Sequence, residues 1–395
     1  MNHTELDEYR IDTWELKKDL EKSTLKTYLY CLEYFCNIVG LSPDELVKEA
    51  DLEQDQGIKV IERKINRYFI TYKKRLEKEG KAEGTVRLHI NALKSFYDAH
   101  EITPPKIKAP KGDISLEKNY GKLLKKEELR TLVNMAAPRE KALIYLMALT
   151  GMAQAEARSL TLSFFMRMAG ETLNKEIESV NQLFEYEKLL EKEIITVKIT
   201  RKKVNYRYIT FIPPEATKQI IYYLKDRVYG RNEKIRIKNV NGALFVKKNG
   251  EPVDQDIIVT NLRRIGLQAG FKKEPGAYSF WRAHGLRKYF ISTIVNKTGD
   301  WDLANFLVGH KILDRDRAYW YIDTEELKEK YEDILPYISI DEISNQLSKK
   351  ELKRLEKVEE SMKAHMLKSE PIFRVLQKNP EIMSQIKKKI KENNI

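Results

Sequence analysis

A segment rich in proline and lysine limits how this chain can fold more than any other feature. Residues Thr103–Asp113, TPPKIKAPKGD, contain three prolines and three lysines. Proline fixes the backbone angle φ and lacks the N–H group that a helix interior needs, so this segment cannot be helical throughout. The chain has 395 residues, which is too many for one compact core. We therefore predict an extended basic linker over residues 103–122 that separates two domains.

The part of the chain before this linker has the apolar spacing of helices. Apolar side chains recur every three or four positions, as in the run Leu25, Tyr28, Leu29, Leu32 and Phe35. Ser42 followed by Pro43 is typical of a helix start, because serine caps the N-terminus and proline suits the first helical position. These patterns predict a small α-helical domain over residues 23–102, preceded by an arm over residues 1–22.

The part after the linker combines helices with one β-rich stretch. The runs ITVKI and YRYITFI, within residues 195–212, are rich in β-branched and aromatic residues and flank the polar turn TRKKVN. We predict a β-hairpin there, a short strand at Leu244–Val246 and helices elsewhere in a domain over residues 123–340. The expected fold class is therefore mainly α with a small β-sheet, and residues 341–395 are predicted to form a helical tail.

The charge of the chain favours a polyanionic partner. There are 72 Lys and Arg against 59 Asp and Glu, a formal net charge of +13. Residues 1–60 have a net charge of −7, whereas residues 61–120 and 121–340 have net charges of +6 and +10. Such a distribution is typical of nucleic-acid binding, although surfaces rich in Lys and Glu are also common in heat-adapted proteins.

Other protein classes are disfavoured by patterns that the sequence lacks. No run of eighteen apolar residues occurs, so we expect no membrane span and a soluble protein of the cytoplasm. There is no glycine-rich phosphate loop, and no His, Cys and carboxylate residues have metal-ligand spacing, so we expect neither a cofactor nor a metal. Cys31 and Cys36 fit buried small side chains better than a disulfide framework.

Four residues late in the predicted second domain have side chains suited to cutting a phosphodiester. His284 and Arg287 are three residues apart, which places them on one face of a helix. His310 follows a glycine turn, and Tyr319 comes nine residues later. Arginine donates a planar fork to two phosphate oxygens, histidine supplies further donors, and a tyrosine hydroxyl can attack phosphorus. Alone, each residue is common on a surface or in a core, but together on a basic protein they predict cleavage of a DNA strand without a metal.

This combination resembles the tyrosine recombinases of the phage-integrase and Xer type, and most of all the archaeal integrases. The family signature is H-x-x-R, then a Leu-Gly-His-type box, then the nucleophilic tyrosine about nine residues on. HGLR at 284–287, LVGH at 307–310 and Tyr319 match it in order and spacing, and AYWYIDTEELKEKYEDILPYISI at 318–340 resembles the archaeal form. The resemblance covers residues 20–340. It implies an α-helical core-binding (SAM-like) domain and a mixed α/β catalytic domain that close on DNA as a C-shaped clamp.

The family also carries an upstream box, Thr-Gly-Leu/Met-Arg-x-x-Glu, from which this chain departs at one position. Residues Thr150–Glu156 read TGMAQAE, so Ala153 stands where the family has the first of two phosphate-binding arginines. Arg158 lies on a different part of the helical turn and cannot simply replace it. Ala153 was either introduced to stall catalysis or is natural, and the otherwise intact box favours the first. By the same resemblance, Glu156 orients the side chains around it.

The resemblance implies a covalent reaction centred on Tyr319. The Tyr319 hydroxyl attacks the scissile phosphate, forms a 3′-phosphotyrosyl bond and releases a 5′-hydroxyl. A lysine on the hairpin turn, Lys203 or else Lys202, protonates the leaving oxygen. His284 is also a candidate base toward Tyr319. The bond energy is kept in the phosphotyrosine, so the reaction requires neither ATP nor a metal.

The phosphate would be held by the other residues of the signature. Arg287, His284 and His310 surround its non-bridging oxygens, where the arginine absent at position 153 would add a second guanidinium. Removing one such donor lowers the rate by roughly a hundred- to a thousand-fold. The resemblance therefore implies a chain that binds its duplex attachment sites as a tetramer but cleaves them slowly.

Two further sets of residues are candidates for contact with DNA. The linker lysines would bind phosphates: Lys106, Lys108 and Lys111. Surface residues of a helix at 85–100 would reach a groove: Arg87, His89 and Lys94. The resemblance also implies that the tail docks on a neighbouring protomer. Two other interpretations remain open, namely a type IB topoisomerase with the same chemistry and a non-catalytic DNA-binding protein on a recombinase scaffold.

Overall fold

The computed structural model describes residues 5–108, 122–201, 206–272, 278–310 and 323–341. The chain divides into two compact units, Met1–Asn119 and Tyr120–Ile395, each with its own apolar core. Both units are mainly helical, and the described residues contain one two-stranded sheet. The predicted fold class, mainly α with a small β-sheet, is confirmed. None of the described helices is long and apolar enough to cross a membrane.

The N-terminal unit is built from helices. They span Glu5–Lys18 (α1), Lys22–Val39 (α2), Pro43–Asp55 (α3), Lys64–Lys78 (α4) and Glu83–Ala99 (α5). The start of α3 follows from the sequence, because the Ser42 hydroxyl accepts the N–H of Glu45 at 3.3 Å and the Glu45 carboxylate accepts the N–H of Ser42 at 2.8 Å. This reciprocal cap, with Pro43 at the first helical position, fixes the residue at which α3 begins.

Helix α1 packs into the core of this unit. Trp14 is fully buried, its ring stacks on Tyr28 with 5.7 Å between centroids, and its Nε1 donates to the Ser95 hydroxyl at 3.0 Å. The structure thus differs from the separate arm predicted over residues 1–22. One tryptophan anchors a helix that is otherwise mostly polar, and such a helix lacks the apolar stripe that periodicity detects.

The C-terminal unit consists of further helices and one β-hairpin. Its elements are Lys126–Asn134 (α6), Pro138–Thr150 (α7), Gln154–Ser159 (α8), Leu162–Leu173 (α9), Val180–Glu185 (α10), Glu187–Leu190 (α11), Ile195–Arg201 (β1), Tyr206–Ile212 (β2), Pro214–Tyr229 (α12), Gln255–Gln268 (α13), Ala283–Thr298 (α14), Trp301–Leu307 (α15) and Thr324–Ile338 (α16). Strands β1 and β2 pair antiparallel, with Arg201 opposite Tyr206 next to the turn. The predicted hairpin is confirmed, and its turn, residues 202–205, lies outside the described residues.

The short strand predicted at Leu244–Val246 does not form a ladder. In the described part of the chain, Val246 makes an isolated bridge with Pro252. The other partners of this segment are also scattered: Ala243 bridges Thr161, and the Nη1 of the buried Arg227 donates to the carbonyls of Ala243 and Leu244 at 3.0 Å each. A side-chain donor can satisfy an extended segment without a second strand, and local β propensity gives no sign of it.

Helix α7 lies at the centre of the C-terminal unit. Every residue from Ala142 to Thr150 is buried, and α7 packs against α6, α12, α14 and β2. The sequence predicts this burial, because residues 139–149 are apolar nearly all round. The C-terminal end of α7 therefore brings Thr150 and Gly151 into the interior of the unit.

Candidate active site

The turn after α7 holds the upstream box against the segment that carries His310. Gly151 has a positive φ of 67°, and a Cβ at this position would lie 2.5 Å from the Val308 side chain and 2.6 Å from the Phe290 ring. Glycine is therefore required here both for the backbone conformation and for the close approach of Val308. This contact brings residues 150–156 next to residues 308–310.

Glu156 lies at the centre of the site, on α8. Its Oε2 accepts the backbone N–H of Ala153 at 2.7 Å and the hydroxyl of Tyr208 at 2.9 Å. Burial and the charge of Glu156 raise the pKa of Tyr208, so that its hydroxyl keeps its proton and donates. Glu156 is itself only 6% exposed. Hydrogen bonds from the N-terminus of α8 and from β2 thus fix the position of the Glu156 carboxylate. A carboxylate fixed in this way can orient the side chains around it.

Arg287 projects from α14 into this buried region. Its Nη1 donates to the carbonyl of Gly151 and its Nη2 to the carbonyl of Val308, both at 2.6 Å, and Nη1 is 3.8 Å from Glu156 Oε2. Burial lowers the pKa of Arg287, but an arginine remains charged at any working pH. The two carbonyls therefore hold a charged guanidinium in one orientation.

A second guanidinium, that of Arg201, reaches the same carboxylate, although no sequence motif marks it. Arg201 is the last residue of β1; its Nε is 3.2 Å from Glu156 Oε1, and its Nη1 donates to the carbonyl of Gly309 at 3.2 Å. A signal was present, because alternation along β1 places residue 201 on the face of the buried residues Ile195, Val197 and Ile199. A charged residue in phase with three buried ones indicates a polar partner in the interior.

Two histidines flank the arginines. The Nδ1 atom of His310 is 2.8 Å from Asn305 Oδ1, and partial burial with the positive charges of Arg287, Arg201 and His284 lowers the pKa of His310. His284 lies at the start of α14, and its pKa is lowered by partial burial and by nearby basic side chains, Arg287 among them. Both rings keep an exposed surface and are mainly neutral at pH 7.

We call Arg201, Arg287, His284 and His310 the basic cluster; the two arginines lie against Glu156, and both histidines are close enough to Arg287 to feel its charge. The structure brings together His284, Arg287, His310, Ala153 and Glu156 from the sequence prediction. Tyr319, Lys202, Lys203 and Lys111 lie outside the described residues. Within the described ranges, no three His, Cys, Asp or Glu side chains come together in a way that could hold a metal ion.

The residues expected to contact DNA from the N-terminal unit differ in exposure. Arg87 is exposed, as are Lys106 and Lys108. His89 is only 3% exposed, and its Nδ1 is 2.5 Å from the Tyr72 hydroxyl, so the expectation that it lies on the surface is wrong. Lys94 is partly buried and its Nζ donates to the carbonyl of Ile107 at 3.1 Å. The position of His89 along the helix did not show that it faces the core. Its partner there, Tyr72 on α4, is distant in sequence and leaves no local signal.

Curated proteins and solved structures include several that are similar to this chain. The tyrosine recombinase XerH of Campylobacter jejuni is 27% identical over 138 residues, which cover 35% of this chain and 35% of that protein. The tyrosine recombinase XerD of Oceanobacillus iheyensis is 24% identical over 273 residues, covering 66% of this chain and 79% of that protein. A lambda integrase tetramer, solved bound to a Holliday junction, is 15% identical over 80% of this chain and 77% of that one, with a TM-score of 0.48.

The match to XerH spans about a third of that relative's length. A broader match comes from the family model described as the phage integrase family, which covers residues 122–326. This range is more than half of the chain, and it contains every residue of the basic cluster together with Glu156 and Ala153. The chain therefore belongs to the phage integrase family of tyrosine recombinases.

Proposed function

We propose that this chain is a site-specific DNA recombinase that cuts and rejoins duplex DNA through a 3′-phosphotyrosyl bond on Tyr319. The observation that carries this proposal is the fixed guanidinium of Arg287, held by the carbonyls of Gly151 and Val308 beside Glu156. Donors that are oriented before the reaction stabilise the charge that develops on a phosphate without the cost of reorganisation. Membership of the phage integrase family supports the assignment of that phosphate to DNA.

In the proposed reaction the Tyr319 oxygen attacks the scissile phosphorus and the bond from phosphorus to the 5′-oxygen breaks. Lys203, with Lys202 as the alternative, gives a proton to the leaving oxygen, and a 5′-hydroxyl is released. His284 is proposed to accept the proton of Tyr319, since a lowered pKa keeps its imidazole neutral. Attack by the 5′-hydroxyl of a partner strand then reverses these steps and restores a phosphodiester without ATP.

Ala153 is proposed to slow this reaction. Ala153 lies at the N-terminus of α8, and its N–H is bound by Glu156 in the middle of the site. An arginine at this position would place another guanidinium beside the phosphate. Its absence is expected to lower the rate of cleavage by about a hundred- to a thousand-fold relative to an Ala153→Arg variant, because one donor to the developing charge is lost.

The proposed partners are double-stranded attachment sites, on which four protomers exchange strands between two duplexes. We propose that residues 23–102 bind the core of the site, residues 123–340 carry the chemistry, and residues 341–395 contact a neighbouring protomer. Phosphate contacts are assigned to Lys106, Lys108 and Lys111, and contact with a groove to Arg87 and the partly buried Lys94. The exposed positions of Arg87, Lys106 and Lys108 support this, whereas the burial of His89 excludes it from the interface.

A gel assay for a covalent adduct tests the function. Duplexes recovered by in vitro selection for binding to this chain, nicked in turn at each central position, would be incubated with the chain, with Ala153→Arg and with Tyr319→Phe variants of both. The proposal predicts a Tyr319-dependent protein–DNA band that is stronger for Ala153→Arg. If neither protein forms the band while both bind the duplex, a non-catalytic DNA-binding protein is left and the recombinase proposal fails.

A further inference from the structure

We propose that Arg201 supplies a second guanidinium for the scissile phosphate and so replaces, in part, the arginine that is absent at position 153. The inference rests on the proposed function, because it needs a phosphate in the site. It adds a catalytic residue outside the signature positions, and it predicts that a chain with Ala153 keeps measurable cleavage.

Arg201 and Arg287 each lie beside one oxygen of the Glu156 carboxylate. Glu156 Oε1 is 3.2 Å from Arg201 Nε, and Glu156 Oε2 is 3.8 Å from Arg287 Nη1. Each guanidinium is also tied to the next carbonyl of the same segment, since Arg287 donates to Val308 and Arg201 donates to Gly309. Consecutive peptide groups therefore hold both positive charges on one side of the site, next to His310.

Position 153 and Arg201 share this carboxylate. The N–H of Ala153 binds Oε2 of Glu156, so a side chain at position 153 starts beside the same group that Arg201 reaches from β1. Arg158, in contrast, makes no hydrogen bond or ion pair with the described residues although it lies on the same short helix as Glu156. Of these two arginines, Arg201 is thus the one that lies beside the carboxylate at which a side chain at position 153 begins.

Arg201 keeps donors for a ligand. An arginine carries five N–H groups. Among the described residues, its contacts use Nε and one N–H of Nη1, which leaves Nη2 for a phosphate oxygen. Its side chain is 27% exposed, whereas that of Arg287 is 5% exposed. Arg201 is therefore the more accessible of the two cations.

The balance of charge indicates a site for an anion rather than a structural ion pair. In the described residues, Glu156 is the carboxylate that contacts either arginine, so one negative charge faces two positive charges. Placing an uncompensated charge in a partly buried region is costly, and a bound anion removes that cost. The lowered pKa of His310, to which both arginines contribute, agrees with two charges that face a common space.

The test compares matched variants in the adduct assay. Arg201→Ala is compared with Arg158→Ala, which removes a charge without any described contact, and both changes are also made in the Ala153→Arg chain. We expect Arg201→Ala to lower the rate of Tyr319 adduct formation by about a hundredfold or more and Arg158→Ala to leave it nearly unchanged. With arginine at position 153, the loss on Arg201→Ala should shrink to less than about tenfold, because the two residues serve the same phosphate.

A neutral substrate separates contact with the phosphate from support of the fold. On a duplex with a methylphosphonate at the scissile position, the charge that a guanidinium compensates is reduced, so the defect of Arg201→Ala should largely disappear. A structural defect would persist on both substrates and would overturn the inference. Arg201→Lys, which keeps the charge but loses the fork, serves if the alanine variant does not fold, and its defect should likewise shrink on the methylphosphonate.

Two results would reject the role of Arg201 and leave the recombinase in place. One is an Arg201→Ala chain that cleaves at the rate of the parent, and the other is a parent chain that forms no adduct although Ala153→Arg forms one. If no variant forms a Tyr319-dependent adduct, the proposed function itself fails, and the inference fails with it.

Discussion

Glu156 is the residue at which four parts of the C-terminal unit meet. Its carboxylate binds the N–H of Ala153 and the hydroxyl of Tyr208, and it lies against Arg201 and Arg287. A buried carboxylate is stable as an anion only when such partners compensate for the lost water. Glu156 therefore determines where both guanidinium groups of the site are held.

We predict that Glu156→Gln lowers the free energy of unfolding by about 2–4 kcal/mol. The amide keeps the shape of the side chain but leaves two guanidinium groups without a counter-charge in a partly buried site. Urea unfolding measures the effect. Glu191→Gln, at an exposed position of the same unit, should stay within about 0.5 kcal/mol. Equal effects of the two substitutions would show that Glu156 does not hold the site together.

Gly151 offers a second prediction with a matched control. Gly151 and Gly299 both have positive φ angles, 67° and 74°, and both end a helix. A Cβ at Gly151 would meet Val308 and Phe290, whereas a Cβ at Gly299 would meet no atom within 4 Å. Gly299→Ala should therefore cost about 1 kcal/mol for conformation alone, and Gly151→Ala at least about 2 kcal/mol more because the core is overpacked.

Thermal or urea unfolding of the two variants decides this point. The difference between their losses of unfolding free energy measures the cost of crowding residues 151 and 308, because both variants lose the same conformational freedom of glycine. Similar costs for both substitutions would mean that the two segments of the site are not packed as tightly as the structure has them.

The candidate site residues that the sequence predicts, and that the structure brings together, are those whose neighbours along the chain define them. His284, Arg287 and His310 follow from their spacing, and Glu156 from its place in the upstream box. Arg201 was missed because its partner is 45 residues away and its signal is only the strand phase. Contacts between distant segments, such as Arg201 with the carbonyl of Gly309, leave no local pattern to read.

At the scale of elements, apolar periodicity predicted the long helices and the hairpin but not α1. That helix is docked by the buried Trp14 and by polar contacts such as Arg10 with Asp44, so its docking depends on partners in α3 and α5 rather than on an apolar pattern of its own. Apolar periodicity also fails to predict a contact just after the end of α16. There Glu215, in the first turn of α12, accepts the N–H groups of Ile340 and Asp341 at 3.2 and 3.0 Å.

This contact predicts a dependence of stability on pH. Burial, with the charge of Asp341, raises the pKa of Glu215 from 4.5 to about 7, although its hydrogen bonds oppose the rise. Between these values the folded chain binds a proton that the unfolded chain does not. The contribution of Glu215 to the free energy of unfolding therefore decreases as the pH rises through this range.

Glu215→Gln should remove this contribution. Because glutamine resembles the protonated acid, the variant should gain stability relative to the parent as the pH rises from 5 to 7.5. Urea unfolding of both proteins at several pH values measures the difference, in which titration of all other groups largely cancels. A difference that stays constant or falls with pH would contradict the assignment.

At the scale of the whole molecule, the proposed binding to DNA makes a prediction for the lysines at the end of the first unit's described residues. The segment that precedes residue 109 carries Lys106 and Lys108 exposed to solvent. Contacts from lysine to phosphate fix a protein on a duplex without reading its sequence, and each releases about one counterion.

We predict that the double variant Lys106→Gln and Lys108→Gln weakens binding equally for selected and unrelated duplexes. The slope of log K against log salt should decrease in magnitude by about 2, because two phosphate contacts are lost. Fluorescence anisotropy over a range of salt concentrations measures the slope. Lys26→Gln, an exposed lysine in the acidic region 1–60, is the control and should leave the slope unchanged. An unchanged slope in the double variant would remove the linker from the proposed interface.

In the proposed reaction, Tyr319 becomes covalently bound to DNA. The most direct measurement is mass spectrometry of the tryptic peptide Ala318–Lys328 after cleavage of a nicked duplex by the Ala153→Arg chain. We expect this peptide to carry a 3′-linked nucleotide on Tyr319 and not on Tyr321, and we expect Tyr319→Phe to abolish it. A nucleotide on another residue, or unmodified peptide from a chain that binds the duplex fully, would rule out Tyr319 as the nucleophile.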